Sequence, residues 1–270
     1  MVAFIAHHEE LALTRMLHEI GSDLCWFLES RGAVVTQKTR GAAGDAELRS
    51  WDALHPELRL PRDYALFLSL SNGVDMRWVI RRDAGTSSVA RVTGTGAGKI
   101  HLNSLKDLAV VTIDDSTLVE AFDDSDADPS IAAAAAAATA ASSSAASSAS
   151  GGAVAAAIAA TTGALPLPLH GVRIDAGDEG VVALVYRPRL RCYQVWFQDL
   201  ACMWHFAADS FTNYMRLAIM HAGVLHWRYI FAPVGLDPTT AQWIRWLLPE
   251  RFAVDDEWRV AKKNAALEQR

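Results

Sequence analysis

The chain is poor in the residues and patterns that announce most functions. It has three cysteines in 270 residues, Cys25, Cys192 and Cys202. They are odd in number and far apart and form no C-x-x-C pair, so they outline neither a disulfide framework nor a zinc or redox couple, and a reducing compartment is expected. No basic segment precedes the short apolar start, which polar residues interrupt after five positions, so a secretory signal is not expected. Long runs of large apolar residues are also missing. The one long stretch poor in charge, 129–169, is Ala and Ser with scattered Gly and Thr, too weakly hydrophobic for a membrane span. Basic excess is absent as well: 31 acids against 25 bases give a net charge of −6. Seven of those acids and no base fall within 114–128, which leaves the rest close to neutral, without the positive field that duplex nucleic acid demands.

Catalytic signatures are scarce. There is no G-x-S-x-G elbow, H-E-x-x-H pair or ordered acidic loop. The run Gly94-Thr-Gly-Ala-Gly98-Lys99 fails as a phosphate loop, because Thr93 stands where the spacing needs glycine and Ile100 where it needs a hydroxyl. A solvated hairpin loop is expected there. His205 and Asp209 stand four apart and would share the face of a helix, but two groups do not complete a zinc site. Hydrogen-bonded core histidines are the expectation for them, as a solvated charge run is for 114–128. No catalytic, cofactor or metal residue is assigned, and an independent metal-dependent enzyme remains only the third reading.

What is present is a patterned α+β chain. Apolar residues spaced three and four apart predict a helix over 8–30, and Val34-Val35 a short strand before a Gly/Ala loop. Leu60-Pro61 opens a helix over 62–71, closed by Asn72-Gly73. Alternation over 74–81 predicts a strand, with a turn at Asp83-Ala-Gly85, a partner strand at 88–93 and a short strand at Lys99–Leu102. Asn103-Ser104 caps a brief helix. Residues 131–160 contain 18 Ala and almost nothing large, so 123–164 reads as a disordered low-complexity insertion between two halves of one domain, 1–122 and 165–258. Strands at 171–175, 180–186 and 192–198 form an antiparallel meander. A helix capped by Asp209 or Ser210 reaches His221, with Gly223 beyond it, and Asp237-Pro238 opens a last helix that Pro249 ends. The tail, 259–270, is polar. Aromatics crowd 196–246, and most of them belong to a core.

Two segments carry a family resemblance. Leu60-Pro-Arg-Asp-Tyr-Ala-Leu-Phe67, followed by Ser71-Asn72-Gly73-Val-Asp-Met-Arg-Trp78, resembles the SUKH superfamily signature, a helix running through an N-G turn into a strand. The second segment begins with Trp196-Phe-Gln-Asp199 and Trp204-His205-Phe-Ala-Ala-Asp209-Ser-Phe211-Thr-Asn-Tyr214. It continues through Arg216-Leu-Ala-Ile-Met-His221-Ala-Gly223, Trp227 and Gln242-Trp243, and is similar to the tubulin polyglutamylase complex subunit 2 family.

The resemblance implies a SUKH-like domain acting as a non-catalytic scaffold or targeting subunit. Its partners would be a tubulin tyrosine ligase-like glutamylase, which would hold the ligase activity, other subunits of the complex, and tubulin or microtubules. It also implies the cytoskeleton, at centrioles, basal bodies or ciliary axonemes. Arg187, Arg189 and Arg191, on one turn between strands, offer a contact to an acidic partner, with a solvated turn as the alternative. A SUKH-type immunity-like binding module is the competing reading of the fold.

Overall fold

Leu13, Met16, Ile20, Leu24 and Leu28 recur every three or four residues and are buried, forming the inner side of a helical run. The computed structural model describes residues 2–82, 94–114, 117–119 and 168–268. It places α1 at Val2–His18 and α2 at Leu24–Glu29, joined by a π-helical turn, Glu19–Asp23. Strand β1 is Val34–Thr39. Where the composition suggested a loop, there is a helix, α3, at Asp45–Leu54, opened by the Gly44 amide donating to Glu47 Oε2 at 3.0 Å. It buries only Trp51, too little apolar surface to mark a helical period.

Helix α4, Arg62–Leu70, runs through Asn72-Gly73 into β2, Val74–Arg82. Strand β3, Gly94–Leu102, completes an antiparallel sheet in the order β1-β2-β3. The expected hairpin loop at 94–98 is therefore strand. A Cβ on Gly98 would lie 2.2 Å from Trp78 Cε2, and one on Gly96 2.5 Å from Trp243 Cδ2, so these glycines make room for two buried indoles. The free edge of β3 is met by the turn after Met220: Lys99 N–H donates to Gly223 O at 2.6 Å, and Leu225 N–H to Ala97 O at 3.0 Å. The turn expected at 83–85, the strand expected at 88–93 and the insertion expected at 123–164 lie outside the described residues.

After a 3₁₀ turn at Leu105–Asp107, a second sheet is built from β4 (Ala109–Ile113), β5 (Leu118–Val119), β6 (Leu169–Gly177), β7 (Gly180–Arg187), β8 (Cys192–Gln198) and β9 (Trp204–Ala208). Its order is β4-β6-β7-β8-β9-β5, antiparallel except where β5 pairs with β9. The meander β6-β7-β8 follows the sequence expectation, while β4, β5 and β9 extend it.

Ser210 Oγ accepts from Asn213 N–H at 3.2 Å and caps α5, Phe211–Met220. Helix α6 is Pro238–Leu247, and Pro249 opens α7, Pro249–Glu268, instead of ending the helical region. Proline is tolerated in a first helical turn, where its missing N–H has no partner to lose. The molecule is thus α+β, with antiparallel sheets flanked by helices.

One apolar cluster joins both sheets and the helices, with Trp78, Ile100, Phe197, Phe211, Trp227 and Trp243 in it. Alternation in β7 sends Val182 and Leu184 into that cluster and Ala183 and Val185 to the opposite face. There they meet Ile113, Trp196 and Trp204 in a second, smaller cluster.

Candidate functional site

Residues 60–78 and 196–243 converge, although more than a hundred positions separate them. Asp63 Oδ2 accepts from Thr212 N–H at 3.0 Å, so a carboxylate at the start of α4 satisfies a first-turn amide of α5 that has no partner within its own helix. Above this contact Tyr64, Phe67 and Phe211 pack with ring centroids 4.7–5.8 Å apart. Trp78 Nε1 donates to Ala222 O at 2.7 Å, and Asn72 Oδ1 accepts from Leu105 N–H at 2.7 Å. Gly73 has φ +95°, and a Cβ there would stand 2.7 Å from Leu102 O. Leu60 and Pro61 are half-buried beside this joint. Gly223, at φ +59°, approaches Lys99 O as closely as Gly73 approaches Leu102 O, with a Cβ position 2.6 Å away. The N-G turn and the Ala222-Gly223 turn are therefore backbone joints between the two halves of the fold.

His205 does not share a helix with Asp209. It stands on β9, where its Nε2 lies 2.9 Å from Asp199 Oδ2, while Asp199 Oδ1 accepts from the amides of Ala201 and Met203 at 2.9 and 3.0 Å. Burial pushes the Asp199 pKa up, but hydrogen bonds from His205 and the two amides, together with the charge of His205, leave it below its ordinary value. Asp209 is exposed and accepts from Asn213 Nδ2 at 2.6 Å. Arg216, on the same helix, is exposed and donates to Asn213 Oδ1 at 2.7 Å. His221 is buried, with Nδ1 2.7 Å from Leu217 O and Nε2 2.8 Å from Asp255 Oδ2, and it stacks on Trp227 at 4.5 Å. Arg251 also binds Asp255, so this group fastens α7 to α5.

One buried charged cluster carried no sequence signal. Arg228 donates from Nε to Tyr214 Oη at 3.0 Å, pairs with Asp175, and has Glu179 at 3.7 Å. Lys99 approaches Asp175 at 3.9 Å. Burial disfavours the Arg228 charge, yet Tyr214, Asp175 and Glu179 outweigh it and raise the pKa. Burial pushes Tyr214 up to about 12. No local spacing links Asp175, Glu179, Tyr214 and Arg228; only the fold gathers them.

The three-arginine turn is not one contact surface. Arg187 is buried, with its guanidinium 5.4 Å from the Trp196 ring centroid, whereas Arg189 and Arg191 are exposed. Among the described residues, no group of three or more His, Cys, Asp or Glu is placed to hold a metal ion, and no helix is long and apolar enough to cross a membrane. Asp199 with His205, His221 with Asp255, and Arg228 with Asp175 tie elements together inside the fold, whereas Asp209, Arg216, Arg189 and Arg191 stand at the surface. The outer feature of note is a groove of about 480 Å³ between α1 and α5, lined by Leu11, Ala12, Arg15, Met16, Glu19, Arg216, Ile219 and Met220.

Fold and internal ties together define an α+β chain of two mostly antiparallel sheets joined through a tryptophan-rich core. Within that class, the chain is 42% identical over 77 residues to the rat protein named Tubulin polyglutamylase complex subunit 2, a match covering 27% of this chain and 26% of that protein. It is 42% identical over 74 residues to the human protein of the same name, covering 26% and 25%, and 40% identical over 74 residues to the mouse one. The chain therefore resembles the tubulin polyglutamylase complex subunit 2 family over about a quarter of its length, and it spans about a quarter of the length of the curated relatives it matches. No family profile matches the chain, and no solved structure matches it.

Proposed function

We propose that this chain is a non-catalytic scaffold or targeting subunit of a tubulin polyglutamylase complex. In this reading it supports glutamate-chain addition to tubulin tails by a separate tubulin tyrosine ligase-like subunit, at the centriole, basal body or axoneme. The observation that carries the reading is the identity of 42% over 77 residues to a protein named for that complex. The placement of five ionisable residues agrees with it, since Asp199, His205, His221 and Asp255 hold elements together and Arg228 closes a buried cluster.

The test is deletion of the chain from the cell that makes it, followed by immunoblotting for polyglutamylated tubulin, alongside affinity purification of the tagged chain. Loss of the modification, with a tubulin glutamylase among the recovered proteins, is expected. The purified chain alone should incorporate no glutamate into tubulin in the presence of ATP. Unchanged tubulin glutamylation and recovery of no glutamylase would overturn the reading.

A further inference from the structure

We propose that the groove between α1 and α5 docks an amphipathic helix of a partner protein whose flanking side chains are acidic. Its floor is apolar, with Met16 buried and Ile219 half-buried, and large apolar side chains stay exposed on both walls, Leu11 at 52% and Met220 at 47%. Single exposed apolar residues are ordinary, but Leu11 and Met220 line one groove, from opposite helices, together with Met16 and Ile219. Two of the lining residues are methionines, whose unbranched side chains adapt to a partner's shape.

The occupant's conformation follows from the walls. Both are helices, whose backbone groups are already bonded internally, so an extended segment would find no ladder to join and would bury its own amides unpaired. A helix satisfies its own backbone and offers an apolar stripe to such a groove. The occupant's charge follows from the rims. Each wall carries an arginine, Arg15 and Arg216; Arg15 pairs with Glu19 at 3.0 Å, whereas Arg216 has an ion-pair partner nowhere among the described residues and bonds the neutral Asn213. An acidic flank on the incoming helix complements Arg216. A second copy of this chain fits worse, because the acid it would bring from its own groove, Glu19, is already paired with Arg15 at 3.0 Å.

The inference deepens the reading as a complex subunit and rests on it only for the partner's identity. The test places the photo-cross-linking residue p-benzoylphenylalanine at Leu11 or Met220 of the full-length chain in cells, and sequences the joined peptides. An amphipathic helical segment of another protein, bearing Asp or Glu beside its apolar stripe, is expected. Its yield should fall about tenfold in an Arg216→Glu background and persist with Arg216→Lys. Circular dichroism of the Arg216→Glu chain should be unchanged. A second copy, a segment of this same chain, a basic or extended partner segment, or no cross-link at either position would overturn the proposal. A fitting helix from a protein unconnected with tubulin glutamylation would uphold the groove and overturn the complex reading instead.

Discussion

At the level of single residues, the two strand glycines make the sharpest test of the packing. Alanine at Gly98 would put its Cβ 2.2 Å from Trp78, whose indole is fixed by its bond to Ala222 O. Such overpacking against a rigid buried ring should cost about 2 to 3 kcal/mol in urea unfolding. Gly177→Ala is the control: its Cβ would meet the mobile end of Lys99 at 3.3 Å, so a loss below about 1 kcal/mol is expected, and equal losses at the two sites would refute this account. Asp199 gives a test in pH. Its folded pKa lies below the unfolded one, so its stabilisation is present above the unfolded value and is lost as pH falls through the folded value. Asp199→Asn should therefore be less stable at neutral pH and lose less stability than the parent on acidification, as followed by urea midpoints across that range. Residue identity was legible in the sequence wherever the residue acts locally or through bulk. Trp78, Phe67, Phe211 and Trp227 are core, as their size demands, and Asn72-Gly73 is a turn. Arg187 was not legible, because nothing in an Arg-Pro-Arg-Leu-Arg string tells which arginine turns inward over Trp196.

At the level of elements, legibility follows the range of the forces that define each one. Asp237-Pro238 opens α6 as read, because the signal is contained in adjacent residues: Asp237 Oδ1 accepts from the amides of Thr239 and Thr240 at 2.9 and 3.0 Å. Replacing Asp237 with Ala should remove this cap at a cost of about 1 kcal/mol, measured as a lowered midpoint of thermal unfolding, with Asp237→Asn largely sparing it. Strand β9 was missed because four of its five residues are buried and no alternation survives. The glycines of β3 read locally as a loop, and only the distant Trp78 and Trp243 explain why they stand in a strand. His205 illustrates the consequence for the site: placed on a presumed helix it faces Asp209, but on the real strand it faces Asp199. The groove between α1 and α5 was equally hidden, since each wall reads as an ordinary amphipathic helix and only their side-by-side packing creates the space between them.

At the level of the whole molecule, the open matter is what the low-complexity stretch contributes to stability. Strands β5 and β6 are separated in the sheet by β9, β8 and β7, a distance of about 20 Å at ordinary strand spacing. Replacing residues 123–164 with about ten Gly/Ser residues leaves a connection of about 17 residues from Val119 to Leu169, whose r.m.s. span of about 22 Å still reaches. Closing that shorter loop costs about 1 kcal/mol less entropy than closing the original one. If the stretch supplies no burial, as its shortage of large apolar side chains leads one to expect, the shortened chain should be as stable as the parent or up to about 1 kcal/mol more so in urea unfolding. The second cluster, on the face of the larger sheet opposite the main core, makes this a demanding test, because Ile113, Ala183, Val185 and Trp196 are all at 2% exposure or less. Should the shortened chain lose more than about 2 kcal/mol, the size of one buried large side chain, the stretch would have to cover that face and could not be a mere insertion.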